Sequence, residues 1–383
     1  MEENPQAPSP QTPQNYDILG QIPPPSPPVS DRLLRVFLGP QGLRAGWSAL
    51  LFALFTLLFG FAAAAVVGLI ATFTHKRTPT EITAFTALVT EVIQVLVILL
   101  AGLIMARIEH RRLRDYFLAG QRRLAHFFVG AIIGFVALSA LVGALALGGW
   151  LHFGAVQLPP AQIAGYGLVW AAVFLLTGFF EEGSFRCYLQ FTFTRGINFW
   201  WALAVVAAAC LDLALRHVGP AAWGVYIVAL LGLLPCLWLH TQRSAGSSFW
   251  QATWATSTLF GFIHITNSGE NWVGIFSAAA IGFVFCLSVW VTGSAWWAIG
   301  CHAAWDWAET FFYGTADSGI VPRFHFLTTA PAGNVFWSGG TDGPEGSILI
   351  LGILVLLVIV LLVIYGRRRA VALPEPAVQE PAS

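Results

Sequence analysis

The chain has 383 residues, 57% hydrophobic and only 10% charged, and its 19 basic and 19 acidic residues cancel to zero net charge. Soluble domains carry about 25% charged residues, so an ordinary water-soluble enzyme is excluded, and a mean hydropathy of +0.71 points to a polytopic membrane protein. Neutrality and the lack of a basic stripe exclude electrostatic binding of nucleic acid.

Residues 1–30 are rich in Pro, Gln and Ser and too poor in apolar side chains to bury a core, which predicts a disordered cytoplasmic tail rather than a signal peptide. Residues 31–120 then hold the first spans and a basic loop. Apolar runs of membrane-spanning length place helices near 47–72, 84–106, 125–150, 164–190, 198–216, 223–240, 249–267, 272–292, 294–313 and 347–365. The fold class is therefore all-α, a polytopic transmembrane bundle of about 8–10 spans by the same length criterion. Within it, 121–313 forms a core with a hairpin near 198–240. A Gly- and Pro-containing external loop covers 314–346, a last span lies in 347–369, and a cytoplasmic tail covers 370–383.

Arg32, Arg35 and Arg44 precede the first span, and Arg107, Arg111, Arg112, Arg114, Arg122 and Arg123 fill the loop after the second. Arg195, Arg243 and the run Arg367–Arg369 fall on the same side by alternation. Positive residues mark cytoplasmic loops, so both termini are expected in the cytoplasm of a multi-pass cell-membrane protein.

Ionisable groups inside spans are costly and mark function. The fourth span carries Glu181, Glu182 and Arg186, the seventh Phe260 and His264, and the ninth His302, Asp306 and Glu309. Glu182 and Arg186 are four apart and can pair on one helix face, while Glu181 points away toward a cavity. His302 and Asp306 repeat that spacing, and Glu309 falls on the same stripe. Rise per residue puts the three motifs at similar depth. Asp212 with Arg216 reads as an interfacial pair, and Glu91 as a residue without local partner. The five cysteines stand singly with no CxxC, so neither a disulfide framework nor a cysteine zinc site is expected. A base, two imidazoles and a cation are the ingredients for activating water and stabilising an oxyanion.

EEGSFR, Phe260 to His264 and His302 to Asp306 fit EExxxR, FxxxH and HxxxN/D. With FRCYL, GFIH and WWAIGCHAAWDW around them, the chain resembles the CAAX-protease and bacteriocin-processing (CPBP, Abi) family of intramembrane endopeptidases over about residues 125–313. The resemblance implies Glu181 as activator of the hydrolytic water with His264 helping to hold it. It implies His302 and Asp306 at the oxyanion, and Glu182 with Arg186 in support. Two features depart from the family: Asp306 stands where CAAX enzymes have Asn, and the 198–240 hairpin lengthens the interval from Glu181 to His264. Ionised Asp306 cannot donate to an oxyanion, so it must be protonated, orient His302 or bind a metal. Glu181, His264 and His302 offer donors suited to zinc, and a metal-free glutamate base fits equally, since no HExxH decides between them. The expected activity is peptide-bond hydrolysis in a membrane-associated protein or peptide substrate. A transporter or channel with an acidic relay through Glu91, Glu181 and Asp212, or a non-catalytic immunity or scaffold protein, are the competing readings; no internal repeat supports the transporter.

Overall fold

The computed structural model describes residues 34–39, 41–73, 83–196, 245–267 and 269–366, together with 200, 203, 204, 207 and 208. The predicted tails, Asp212, Arg216 and almost all of the 198–240 hairpin lie outside the described residues. Among the described residues, helices form where the apolar runs predict them. In chain order they are α1 (Ala45–Phe73), α2 (Ala84–Ile108), α3 (Arg123–Leu147) and α4 (Pro160–Glu182), then α5 (Ala245–Ile263), α6 (Trp272–Thr292), α7 (Trp296–Asp306) and α8 (Ile350–Tyr365). Among the described residues α1, α2, α3, α4 with its continuation to Gly196, and α6 are long and apolar enough to cross a membrane. The chain is an all-α polytopic helix bundle.

Chain chemistry sets the helix boundaries. Thr83 caps α2 through a reciprocal pair of bonds with Thr86, and the Asn271 side chain accepts from the amides of Val273 and Gly274 at the start of α6. α6 stops at Gly293, whose φ of 78° is the left-handed cap that glycine takes without strain. Burial separates core from periphery: 67% of the apolar window of α6 is buried against 6% for α1, so α6 is central and α1 peripheral.

Two helices widen. Past Glu182, α4 winds with i→i+5 bonds over Gly183–Leu189 before regaining α geometry over Gln190–Gly196, and α7 does the same past Asp306 over Trp307–Tyr313. Wide turns of this kind are rare and concentrate at functional sites. Here each begins directly after a predicted site residue.

The helix carrying His302 is fixed by glycine contacts. A Cβ on Gly130 would lie 2.2 Å from the Trp297 carbonyl oxygen, one on Gly134 2.2 Å from that of Cys301, and one on Gly300 2.1 Å from that of Phe127. Gly130 and Gly134 form a small-xxx-small pair, the arrangement that lets membrane helices pack backbone to backbone. α3 and α7 therefore touch along their main chains. On the opposite flank Gly178 of α4 meets the Ile299 carbonyl at 3.2 Å by the same measure.

The predicted loop 314–346 is more structured than its composition suggested. Leu327–Pro331 (β2) pairs antiparallel with Leu151–Val156 (β1), in register Leu151↔Pro331 to Phe153↔Thr329. Trp150 stacks on Trp337 at 4.9 Å between centroids. The ribbon satisfies backbone groups that a bare loop would leave to water. A six-residue strand between two spans is too short to stand out from its apolar neighbours in the sequence.

Candidate active site

Glu181, His264, His302 and Asp306 line one cavity of about 100 Å³, with Thr177, Phe260 and Phe285. Its floor is a fixed charge relay. Glu182 is fully buried; its Oε2 pairs with Arg186 Nε at 3.2 Å and its Oε1 accepts from His302 Nδ1 at 2.8 Å. The expected Glu182–Arg186 pair is thus present, and Glu182 reaches further than the sequence implied by holding the imidazole as well. Arg186 lies under the Phe260 ring, 4.1 Å from guanidinium carbon to centroid, and 5.2 Å from that of Phe285, so aromatic faces share its charge.

A carboxylate only accepts, so His302 donates Nδ1–H to Glu182 and turns Nε2 to the cavity. There Nε2 meets Asp306 Oδ2 at 3.4 Å and Glu181 Oε2 at 3.8 Å. Phe285 stacks on the same ring at 5.6 Å. His264 begins the short turn that ends α5, and its Nδ1 lies 2.7 Å from the Phe260 carbonyl, which also can only accept. Its Nε2 is left as an acceptor. Glu181 Oε2 is buried without a hydrogen-bond partner, while 23% of the side chain is exposed to the cavity.

Glu309 departs from expectation. It falls on the His302 stripe by α-helical spacing, yet the widening after Asp306 changes the angle per residue, and Glu309 does not line the cavity. It is fully buried and its Oε2 accepts from Trp305 Nε1 at 3.1 Å. Glu91 sits on α2 in an adjoining space of about 430 Å³ that also touches Glu181, His264, Thr177 and Ile263. Gln94 contacts its Oε1 at 3.5 Å, so it has a weak local partner.

Glu181, His264 and His302 offer the nitrogen and oxygen donors that zinc takes. Among the described residues, the one group of three such side chains whose candidate ligand atoms gather within 4.8 Å is instead Glu309, Asp317 and Glu345. Sequence reading passed over Asp317 and Glu345, because acidic residues in a polar loop carry no signal of their own. It also passed over the pair Glu270 and Asp342, which lie outside the spanning helices. Burial first, then the neighbouring carboxylates, pushes Glu270 up to about 9. Burial likewise pushes Asp342 up to about 7, against the lowering effect of the Asn271 amide that donates to it.

Fold and site together define a multi-pass membrane protein with a carboxylate–imidazole cavity. Residues 236–308 match the family model of the type II CAAX prenyl endopeptidase Rce1-like proteins, the family of membrane proteases that the three motifs resemble. The match spans the FxxxH and HxxxD motifs and ends before Glu309; Glu181, Glu182 and Arg186 lie upstream of it. No curated protein and no solved structure matches the chain.

Proposed function

We propose that the chain is an intramembrane endopeptidase that hydrolyses a peptide bond in a membrane-associated protein or peptide, using a water activated by Glu181. The carrying observation is the division of labour between adjacent carboxylates: Glu182 is fully buried between Arg186 and His302, whereas Glu181 lines the cavity with 23% of its side chain exposed.

In this reading a water donates one hydrogen bond to Glu181 and the other to Nε2 of His264, whose ring is set by the Phe260 carbonyl. Glu181 takes the proton as the water oxygen attacks the scissile carbonyl carbon. Negative charge develops on the carbonyl oxygen. His302, protonated at both nitrogens, donates Nε2–H to it, and Glu182 stabilises the imidazolium from Nδ1. Asp306, at 3.4 Å from Nε2, orients the imidazole rather than donating itself. Glu181 then returns its proton to the leaving amine, the carbon–nitrogen bond breaks, and a carboxylic acid and an amine are released. The family match supports the peptidase class, and the cavity geometry supports these roles.

The test is cleavage of membrane-anchored peptides by the purified full-length chain. Glu181→Gln should abolish cleavage in a folded protein. Full turnover by Glu181→Gln would overturn the reading and leave the acidic-relay alternative as the better account.

A further inference from the structure

On the side of the bundle opposite the arginine loop, two carboxylates that line the cavity and one buried behind it take no part in the proposed hydrolysis. Glu309 comes from the widened end of α7, while Asp317 and Glu345 come from the two ends of the 314–346 segment. Each offers an oxygen, and these oxygens lie within 4.8 Å of one another. Asp317 and Glu345 also line the catalytic cavity, beside Glu181 and Asp306.

The trio is held open rather than collapsed. Trp305 Nε1 bridges Glu309 Oε2 at 3.1 Å and Glu345 Oε1 at 2.8 Å, and Thr310 Oγ1 donates to Asp317 Oδ2 at 3.0 Å. Those bonds occupy one oxygen per carboxylate. A second, independent observation is the fate of the other oxygen on Glu309. The residue is 0% exposed, and Oε1 is buried with no hydrogen-bond partner. A buried carboxylate oxygen left bare is costly, so such an atom calls for a partner. The charges acting on Asp317 and Glu345 come from other carboxylates and from His302.

We propose that Glu309, Asp317 and Glu345 form a divalent-cation site, selective for a hard ion of the calcium class, that clamps the 314–346 segment onto the His302 helix. The donor set decides the ion: three carboxylates with no nitrogen or sulfur suit hard cations and not zinc or copper. The clamp follows from connectivity. Its ligands sit 36 residues apart at the extremes (309 and 345), and one bound ion would join the helix end to both ends of the segment that walls the cavity. This site shares no ligand with the Glu181–His264–His302 set, although Asp317 and Glu345 line the same cavity, and it stands whether or not the chain is a peptidase.

The experiment uses the full-length chain in detergent, stripped with a chelator and titrated with terbium. Trp305 touches two of the ligands and can sensitise terbium luminescence. A saturable signal excited through tryptophan and displaced by calcium is expected. Asp317→Asn and Glu345→Gln should each weaken the calcium competition about 10-fold or more, because affinity follows the count of charged ligands. Glu181→Gln should leave it unchanged. Calcium should also raise the melting temperature of the wild-type chain and not that of Asp317→Asn, which serves if Glu345→Gln does not fold. A signal that calcium cannot displace, or one equally strong in both loop variants, overturns the proposal. So does loss of the signal in Glu181→Gln, which would make Glu181 a ligand of the ion.

Discussion

Two sets of carboxylates near the cavity, Glu182 on one side and Glu309, Asp317 and Glu345 on the other, are held in different ways. Glu182 sits between a guanidinium and an imidazole supplied by the fold itself, at 3.2 and 2.8 Å. Glu309, Asp317 and Glu345 face one another, hydrogen-bonded by Trp305 and Thr310. Burying a charge is costly unless it is paired. Glu182 meets its counter-charges within the fold, although both Nη atoms of Arg186 stay without a hydrogen-bond partner, while the second set is held only by neutral donors. A membrane enzyme gains from both, since a site needs a fixed interior and a wall that can be adjusted.

The sharpest way to break this contrast is within one helix turn. Glu181→Gln should reduce cleavage by about 10²–10⁴ with the melting temperature unchanged, since general-base assistance is worth that much. Glu182→Gln should instead lower folded yield, because losing one partner of a buried pair costs about 3–5 kcal/mol. Thermal unfolding followed beside cleavage separates the two. Cleavage lost from a fully stable Glu182→Gln, with Glu181→Gln tolerated, would reverse the roles.

A smaller effect concerns the helix contact that fixes His302. Gly134→Val must push on the Cys301 carbonyl and should destabilise by about 1–3 kcal/mol or more, the usual range for overpacking. Gly143→Ala on the same helix meets nothing within 4 Å and should be neutral or stabilising by up to about 1 kcal/mol. Equal melting temperatures for the pair would show that α3 and α7 are not in backbone contact.

The responsive wall should also be visible in pH dependence. Glu270 is raised by burial and by Asp342, Glu345 and Asp317, with Asn267 opposing, and Asp342 is raised by burial and by Asp317. Acids raised in the folded state bind more protons there than when unfolded, so stability falls as pH rises. In chelator the melting temperature should drop between about pH 5 and 9, through the values near 7 and 9 of these two groups. Glu270→Gln should flatten the alkaline part. A flat profile in the wild-type chain would mean that the wall is already neutralised. Smallest of all, removal of residues 1–30 should change neither melting temperature nor cleavage, because that composition cannot pack into a bilayer.

The legible parts of the molecule were those with local periodicity. Span positions, the Glu182–Arg186 pair and the grouping of Glu181, His264, His302 and Asp306 around one cavity all follow from spacing along helices. What spacing could not carry was anything set by tertiary context. The Glu309 prediction failed because an i→i+5 turn after Asp306 altered the angle on which the stripe depends. The bond from His302 to Glu182 joins residues 120 apart, and nothing local foretells it. Asp317 and Glu345 acquire meaning only when the 314–346 segment folds back on α7. The β1–β2 ribbon pairs residues about 175 positions apart, a contact whose loop-closure entropy is repaid only by the assembled bundle.

The glycine seam between α3 and α7 bears on how such a protein can diversify. With main chains already touching at Gly130, Gly134 and Gly300, the seam admits no larger side chain and therefore no variation in the placement of His302. Freedom to accept differently shaped substrates must reside on the other flank, where α2 and α4 border the space beside Glu91, Thr177 and Ile263. Altering substrate selectivity is best attempted at Ala87, Glu91 and Val173, and libraries directed at the α3–α7 seam should return mostly misfolded chains.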